Sequence, residues 1–350
     1  MKLHQNLALG IVSCLKNILK EKKALRPSLN QLLKQNRKWG SRDRRLVGES
    51  VLEIIRWKRL FTEIGKLDPK SNQYHWNLLG IWMLKKKIPL QDWEYFSEIK
   101  TESIEFEFDR KSKARAVLQS IPDWLDDLGL KTLGKTVWEK EIENLNNKAP
   151  LVIRVNTFKT SPEKLQNILK KKYDIESSRI PEFPAALFLD KHKKLNHLEL
   201  FKQGWFEIQD ANSQKVSYFA APKPGMLVVD GCAGSGGKTL HLANLMHNKG
   251  RIIALDPHKK KLEQLKVRIK RNGVRMVLVH DLNSEDTFRK YKENADLVLI
   301  DVPCSGLGVL RRNPATKWHM NPSYIEELIN LQQLILKKQS LLVKKGGALV

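Results

Sequence analysis

The first 128 residues show apolar positions that recur with the period of an α-helix. In the segment NLALGIVSCLKNILK, apolar side chains follow one another at intervals of three or four from Leu7 to Ile18. This spacing predicts an amphipathic helix with one buried face. The same period occurs in three later segments, SRDRRLVGESVLEIIRWKRLF, NQYHWNLLGIWMLKK and KARAVLQSIPDWLDDLGL. We therefore expect an all-α domain over residues 1–128, with Ser41 as the N-cap of one helix and Pro122 at the start of another.

Residues 129–205 combine a helical segment, TVWEKEIENLN, with short apolar runs of strand length. LVIRVN is followed by Ser161-Pro162-Glu163, a combination that is typical of a helix start. AALFLD and GWFEIQ then have the length and composition of two more strands. A helix between short strands predicts a small α/β domain in this part of the chain.

From residue 206 onward, strands and helices alternate. The predicted strands lie at 226–230, 251–256, 275–280, 296–301 and 347–350, with helical segments between them. Alternation of this kind predicts a mostly parallel sheet with right-handed crossovers. We assign it to one α/β domain over residues 206–350.

The composition agrees with a folded protein outside the membrane. The chain has 350 residues, of which 41% are hydrophobic and 29% charged, which predicts a soluble globular protein of two or three domains. No apolar run reaches the length of about 18 residues that a membrane-spanning helix requires. The start, MKLHQNLALG, lacks the apolar core of a signal peptide. We expect a cytoplasmic protein with no membrane partner.

The net charge points to a polyanionic partner. Lys and Arg number 63 against 38 Asp and Glu, so the formal net charge is +25. Such an excess is typical of nucleic-acid binding, in which cations replace counterions condensed on phosphates. The alternative is that the lysines serve solubility alone. The three cysteines, Cys14, Cys232 and Cys304, have neither metal-ligand nor disulfide spacing, so we expect no metal and assign Cys14 to a helix core.

A glycine-rich turn follows the first predicted strand of the α/β domain. MLVVDGCAGSGGKTLHLANLM has the order strand, turn, helix. A nucleoside-triphosphate loop needs glycine, four residues, then Gly-Lys-Ser/Thr. Counting back from Gly237 places Cys232 where the first glycine belongs, which disfavours a triphosphate site. The four glycines instead predict a turn that lets the backbone approach another nucleoside ligand closely.

Acidic residues stand at or near the ends of successive predicted strands. Asp230, Asp256, Asp281 and Asp301 would lie at the same edge of a parallel sheet. Each alone could be a helix cap or a turn residue, but an acid after the second strand suits a pair of ribose hydroxyls. Together with the glycine turn, they indicate S-adenosylmethionine (SAM) or a dinucleotide. The G-x-G-x-x-G pattern expected for a dinucleotide is absent.

Three segments resemble the RsmB-type (Fmu/Sun) RNA cytosine-5 methyltransferases. DGCAGSGGKTLHLA, ALDPHKKKLEQLKVRIKRNG and DVPCSGLGVLRRNPATKW look like that family's cofactor, ribose and catalytic motifs. PLVIRVNTFKTSPEKL resembles the segment before its catalytic domain, and SRDRRLVGESVLEIIRWKRL resembles its NusB-like helical domain. One departure is CAGSGGKT, where the family usually has Cys-Ala-Ala-Pro-Gly-Gly-Lys-Thr. The resemblance implies a Rossmann-like SAM methyltransferase domain over 206–350, preceded by a small α/β domain over 129–205 and a NusB-like domain over 1–128.

The resemblance also implies roles for individual residues. The turn that wraps SAM would consist of Cys232, Ala233, Gly234, Ser235, Gly236, Gly237 and Lys238. Asp256 would bind the ribose hydroxyls, and Asp281 would lie near the adenine. Asp301 would sit near the methionine end and the target base, with Lys238 positioning groups or lowering a thiol pKa. Separately from the resemblance, the net charge and the positions of Arg154, Asn156, Arg311 and Arg312 beside the motifs predict that they bind RNA, with an ordinary surface charge as the alternative for each arginine.

Two catalytic roles are open for Cys304. DNA cytosine methyltransferases use the cysteine of such a Pro-Cys pair as the nucleophile that adds to carbon 6 of the base. In the RsmB-type family the nucleophile is a second cysteine, in a Thr-Cys motif after the next strand, and the Pro-Cys cysteine assists release. The final residues, LLVKKGGALV, look like the start of that next strand. We expect that the α/β domain is incomplete here and that the Thr-Cys segment would follow.

The predicted function is methyl transfer from SAM to carbon 5 of a cytosine in RNA, with ribosomal RNA expected as substrate and a monomer as the working form. One alternative is a non-catalytic RNA-binding or assembly factor that keeps a SAM fold. The other is a DNA cytosine methyltransferase, which the Pro-Cys pair fits and the helical N-terminal domain does not. Turnover separates the first alternative from an enzyme, and competition between RNA and DNA separates the second.

Overall fold

The structure, a computed structural model, forms two compact units. It describes residues 2–102, 104, 114–190, 195–283 and 285–350. The first unit comprises Met1–Ala149 and Ser305–Glu326, and the second comprises Pro150–Cys304 and Glu327–Val350. The predicted boundaries at 128 and 205 do not coincide with this division, so the three-domain organisation stays a prediction.

The helices of the first unit pack around two apolar clusters, one formed by the first five helices and one by the later three. They are α1 (Gln5–Leu19), α2 (Leu25–Gln35), α3 (Ser41–Arg56), α4 (Lys58–Ile64), α5 (Tyr74–Lys85), α6 (Arg115–Leu118), α7 (Asp123–Leu133) and α8 (Lys135–Asn146). The predicted apolar face of α1 is buried, and Cys14 lies in the same core, as expected. The N-cap of α3 is Gly40 and not Ser41, because the Asp43 carboxylate accepts the Gly40 N–H at 3.1 Å. Pro122 is the N-cap of α7, as predicted.

The second unit begins with a small antiparallel sheet. Its elements are β1 (Leu151–Val155), α9 (Pro162–Tyr173), β2 (Ser177–Ile180), β3 (Phe183–Leu189), α10 (Glu199–Lys202) and β4 (Phe206–Ile208). The strand order is β2-β3-β1-β4, with β1 paired to β3 and β4. Strands β1, β3 and β4 were predicted and β2 was not, because its short polar sequence carries no strand pattern. Since β4 belongs to this sheet, the predicted boundary at 205 falls just before its last strand.

A five-stranded parallel sheet forms the rest of the second unit. Its elements are α11 (Ala211–Ala220), β5 (Leu227–Asp230), α12 (Gly237–Leu245), β6 (Arg251–Asp256), α13 (Lys259–Asn272), β7 (Val277–Asp281), α14 (Glu285–Tyr291), β8 (Ala295–Leu299) and, after the inserted segment, β9 (Val343–Leu349). The order is β7-β6-β5-β8-β9, and every pairing is parallel. This confirms the predicted Rossmann-like α/β sheet. Two apolar clusters pack against the sheet. Neighbouring strand residues contribute to different clusters, as Val228 does to one and Val229 to the other.

The segment directly after the Pro-Cys motif packs within the first unit. It contains the short helix α15 (Thr316–His319) and leads into α16 (Pro322–Ser340). The Trp318 indole N–H donates to the Ile55 carbonyl at 2.7 Å, and the Lys317 ammonium donates to the Arg56 carbonyl at 2.9 Å. These bonds fix α15 on the end of α3.

Two absences concern the described part of the chain. Within it, no helix combines the length and apolar character needed to cross a membrane. Among those same residues, no group of three or more His, Cys, Asp or Glu side chains could hold a metal ion.

Candidate active site

The glycine turn lies between β5 and α12 and is tied to the strands on both sides. The Gly231 N–H donates to the Leu299 carbonyl at 2.8 Å, and the Ala233 N–H donates to the Leu255 carbonyl at 2.9 Å. These bonds anchor the turn to β8 and β6. Gly236, with φ of 89°, has the left-handed backbone that glycine tolerates best, and a Cβ there would stand 2.1 Å from Leu265. Close packing and backbone conformation therefore both require glycine at position 236.

Asp230, the first of the acids at this edge of the sheet, is buried and stabilises the glycine turn. Its side chain is 1% exposed and accepts the Thr239 hydroxyl at 2.6 Å. Burial raises the pKa of this carboxyl to about 6. Since Thr239 belongs to the first turn of α12, Asp230 holds the start of that helix.

Asp256, at the end of β6, is the acid best placed for a ligand. One carboxylate oxygen accepts two bonds from His258, one from its backbone N–H at 2.8 Å and one involving its ring Nδ1 at 2.9 Å. The other oxygen accepts the Gly234 N–H at 2.9 Å. An ionised carboxylate oxygen has room for a second donor, so this oxygen can also take a hydroxyl group. Asp281 ends the neighbouring β7 directly opposite Asp256 in the register, and it accepts the Asn283 N–H at 2.9 Å.

An ion pair and an exposed thiol lie beyond β8. The Lys238 ammonium, at the start of α12, is 2.5 Å from the Asp301 carboxylate. Asp301 is half-exposed and Cys304, three residues later, is exposed. The loop between them is held by Gln332, whose side chain donates to the Pro303 carbonyl at 2.8 Å. The structure thus presents a carboxylate, an ammonium and a thiol from three predicted residues on the same unit.

Cys232 has a different environment from Cys304. Burial, together with the carboxylates of Asp230, Asp256 and Asp301, raises the pKa of the Cys232 thiol to about 12. A thiol surrounded by acids stays protonated at neutral pH and is a poor nucleophile. Its place in the turn fits a packing or ligand-contacting role.

Alkylation should therefore distinguish the three cysteines. We expect iodoacetamide to modify Cys304 first in the folded protein, because it is exposed while Cys14 is buried and Cys232 half-buried. Burial raises the pKa of Cys14 to about 12 as well, so neither of these thiols is ionised at pH 8. Peptide mass mapping measures the order, and the unfolded protein, in which all three should react alike, is the control. Faster labelling of Cys232 than of Cys304 would contradict the assignment.

The Arg268 side chain, which the sequence did not indicate as a site residue, supports the glycine turn. The Arg268 guanidinium of α13 donates to the Ser235 carbonyl at 2.6 Å and to the Ser235 hydroxyl at 3.1 Å. It also pairs with the Glu207 carboxylate at 3.0 Å, and Glu207 accepts a further bond from Asn272 at 2.6 Å. Burial raises the pKa of Glu207, but Arg268 and Arg271 more than offset this and keep it low. Ser235, at a position where the sequence departs from the family pattern, is thus fixed by a buried ion pair.

Gln339 of α16 is a second supporting residue that the sequence did not reveal. Its side chain is 1% exposed and donates to the Gly231 carbonyl at 2.8 Å. A Cβ on Gly231 would stand 1.5 Å from the Gln339 side-chain oxygen. A polar position in a helix gives no sequence signal for such a long-range contact.

Arg154 and Asn156, predicted to contact RNA, are buried. Arg154 is 1% exposed and donates to the Gly237 carbonyl at 2.7 Å and to Gln209. Asn156 is 2% exposed and donates to the Gly204 carbonyl at 2.7 Å. Their placement does not fit direct contact with RNA, because their polar groups are already used to join the small sheet to the glycine turn.

Arg311 and Arg312, the other predicted RNA contacts, lie in the first unit. Both are half-buried. The Arg311 guanidinium donates to the Lys148 carbonyl at 2.8 Å, and its own carbonyl accepts from Arg56 at 2.9 Å. Arg311 thus already has a structural role, and a role for either arginine in RNA binding stays a prediction.

The residues present fit SAM. The missing Cβ of Gly234 faces open space, so the turn leaves room where the ligand would approach. Asp256 retains acceptor capacity for ribose hydroxyls, and the turn carries backbone groups next to it. Cys232–Lys238 would hold the cofactor between this acid and the Lys238–Asp301 pair.

Comparisons with known proteins agree with this assignment. Residues 217–350 match the family model of the 16S rRNA methyltransferases RsmB/F, and residues 121–196 match that of the ferredoxin-like domain of RsmF/B-like methyltransferases. The chain is 36% identical, over 66% of its own length, to a Synechocystis protein named probable ribosomal RNA small subunit methyltransferase B. It covers 52% of that relative, and so spans about half the length of the curated relatives it matches.

Solved structures share the fold. The crystal structure of PH0851 is 25% identical, with a TM-score of 0.80, and the match covers 100% of this chain and 86% of that one. NSun6 from Pyrococcus horikoshii, solved with the SAM analogue SFG, has a TM-score of 0.60 at 24% identity, over 66% of this chain and 83% of that one. Both matched domains are those of RsmB/F methyltransferases, and a relative named for the same enzyme is similar across 66% of this chain, so residues 121–196 and 217–350 are assigned to the RsmB/F methyltransferase family.

Proposed function

We propose that this protein transfers a methyl group to carbon 5 of a cytosine in RNA, with ribosomal RNA as the substrate. The observation that supports the proposal is the arrangement at one edge of the parallel sheet. Asp256, the Lys238–Asp301 pair and the exposed Cys304 lie at or after the ends of three neighbouring strands there. When bound there, SAM supplies an electrophilic methyl group. The residues of the chain must then make carbon 5 of the base nucleophilic and remove its proton.

Cytosine needs covalent activation for this reaction. A cysteine thiolate adds to carbon 6 and forms a carbon–sulfur bond, which places electron density on carbon 5. After carbon 5 has gained the methyl group, a base removes its proton, the ring double bond re-forms and the carbon–sulfur bond breaks. Asp301 supports the addition by sharing a proton with the ring nitrogen, while Lys238 fixes the orientation of its carboxylate.

Cys304 is assigned to the second half of the reaction. We propose that it assists proton removal and release, and that a second cysteine, in a Thr-Cys segment, supplies the attacking thiolate. Within the described chain the other two thiols are poor candidates, because Cys14 is buried, Cys232 is half-buried, and the pKa of each is raised to about 12. For the 350 residues alone we expect SAM binding without methylation. We further propose that the enzyme works as a cytoplasmic monomer.

RNA binding should depend strongly on salt. The net charge of +25 favours contacts with phosphates, and each neutralised phosphate releases counterions. We expect affinity for an unstructured RNA to fall at least about tenfold between about 50 and 200 mM salt, the scale for three or more neutralised phosphates. Filter binding over that range measures the slope. An affinity that stays flat would contradict an electrostatic interface.

Competition between nucleic acids tests the substrate class. Equal concentrations of RNA and of DNA with the same sequence are offered to the protein together with isotopically labelled SAM, and the products are digested to nucleosides. The proposal predicts that the label appears in 5-methylcytidine from RNA. Label in deoxycytidine would indicate a DNA methyltransferase, and RNA binding without any labelled nucleoside in an extended, Thr-Cys-containing protein would indicate a non-catalytic factor.

A further inference from the structure

A basic cavity in the first unit has no role in the reaction described above. It has a volume of about 450 Å³ and lies among α1, α4, the loop after α4 and the start of α5. Its charged and polar wall includes Lys16, Lys20, Lys58, Lys70, Asn72 and His75. Three separate segments of the chain therefore direct cationic side chains to one concave surface.

The positive charge of this basic cavity is not compensated by acids. None of its lining residues is acidic, and in the described part of the chain none of its four lysines forms an ion pair with a carboxylate. Asp68 lies two positions before Lys70, but its carboxylate accepts the backbone N–H of Lys70 at 2.9 Å. Four like charges around one cavity destabilise the empty protein and favour an anionic ligand.

His75 reports the combined effect of these charges. The side chain is 7% exposed, and burial lowers its pKa to about 4, with Lys16, Lys20 and Lys58 contributing in the same direction. Three lysines, from α1, from the C-cap of α1 and from α4, therefore act on one imidazole. At neutral pH the ring is uncharged and keeps one N–H donor for a ligand.

Lys58 is held in position without a carboxylate. Its ammonium lies 4.3 Å from the centre of the Trp318 ring, a cation–π contact that leaves its N–H donors available. Trp318 is itself fixed by the bond from its indole N–H to the Ile55 carbonyl. A cation positioned by an aromatic face and by burial is prepared for an anion at lower entropic cost than a free surface lysine.

We propose that the basic cavity binds a phosphate group from the backbone of the RNA substrate. Phosphate oxygens accept several charge-assisted hydrogen bonds, and the lysine ammoniums, the His75 imidazole and the Asn72 amide can supply the donors. The assignment of the phosphate to RNA rests on the proposed function, whereas the affinity for phosphate does not. Because Trp318 belongs to the segment that follows the Pro-Cys motif, phosphate binding beside Lys58 involves the same segment that continues from the catalytic loop.

Inorganic pyrophosphate is the probe for the cavity itself. In the 350-residue protein, we expect pyrophosphate to shift the NMR signals of the His75 ring saturably and to raise the pKa of His75, since a bound anion favours the protonated ring. The combined Lys16→Gln, Lys20→Gln and Lys70→Gln variant should lose the response. A matched control with Lys131→Gln, Lys135→Gln and Lys140→Gln removes the same charge from exposed positions on α7 and α8 and should keep it. No saturable shift in the unaltered protein overturns the site.

RNA is the second arm of the experiment. An RNA oligonucleotide should displace pyrophosphate, and the cavity variant should bind RNA about tenfold more weakly than the control of equal net charge. Thermal unfolding of both variants checks that they fold. Pyrophosphate binding that RNA does not displace overturns RNA as the source of the phosphate. If the unaltered protein binds pyrophosphate but no RNA at all, the proposed function fails while the phosphate site stands.

Discussion

Replacing Cys304 with alanine should trap RNA on the protein. In a protein in which a Thr-Cys segment follows these 350 residues, the Cys304→Ala variant should still add a thiolate to carbon 6 and complete methyl transfer. Release should fail, because the group that assists proton removal beside the adduct is missing. A denaturing gel should show a slow protein–RNA band that forms only when SAM is present.

The same gel also tests the alternative, in which Cys304 is the nucleophile. If Cys304 is the nucleophile, Cys304→Ala forms no adduct and transfers no methyl group. The matched control is Cys14→Ala, since Cys14 is buried in the apolar core of the first unit and its removal should leave turnover without a trapped band. Turnover by the 350 residues alone would show that a group within them serves as the nucleophile.

Replacing Asp256 should weaken SAM binding by about 1–3 kcal/mol, or roughly five- to 150-fold, the scale for removing a charged hydrogen-bond acceptor. Asp256→Ala removes the acceptor for the ribose hydroxyls and also frees the Gly234 N–H that shapes the turn. Titration calorimetry with SAM measures the change.

Asp296 provides the control for this experiment. It belongs to the same sheet, at the start of β8, and its carboxylate accepts the Leu227 N–H at 2.7 Å. It therefore has a backbone bond comparable to that of Asp256, but at the opposite edge of the sheet. Asp296→Ala should leave SAM affinity unchanged. Equal affinities in the Asp256 and Asp296 variants would remove the assignment of the ribose site.

The sequence predicted those parts of the site that depend on local pattern. A strand followed by a glycine turn and a helix, and acids at or just beyond successive strand ends, are features of adjacent residues, and Asp256 and Asp281 indeed face one another across β6 and β7. The parallel sheet makes this possible, since its strand ends gather at one edge.

Features that depend on long-range contacts could not be predicted from the sequence. Arg154 was predicted to bind RNA, yet it is buried and its partners Gln209 and Gly237 stand 55 and 83 positions away. The Arg268–Glu207 pair joins residues 61 positions apart, and the residues next to them in the sequence give no sign of this contact. The packing of α15 on α3 is of the same kind. Such pairings arise only when the chain folds back on itself.

The central claim, attack by carbon 5 of a cytosine in RNA, is tested most directly by loss of the hydrogen from that carbon. RNA that carries tritium at carbon 5 of its cytosines is incubated with SAM and with a protein that contains this chain and a downstream Thr-Cys segment. The account predicts that tritium appears in water, one atom for each methyl group transferred, and only in the presence of SAM. Methyl incorporation without tritium release would place the methyl group on another atom and contradict the account.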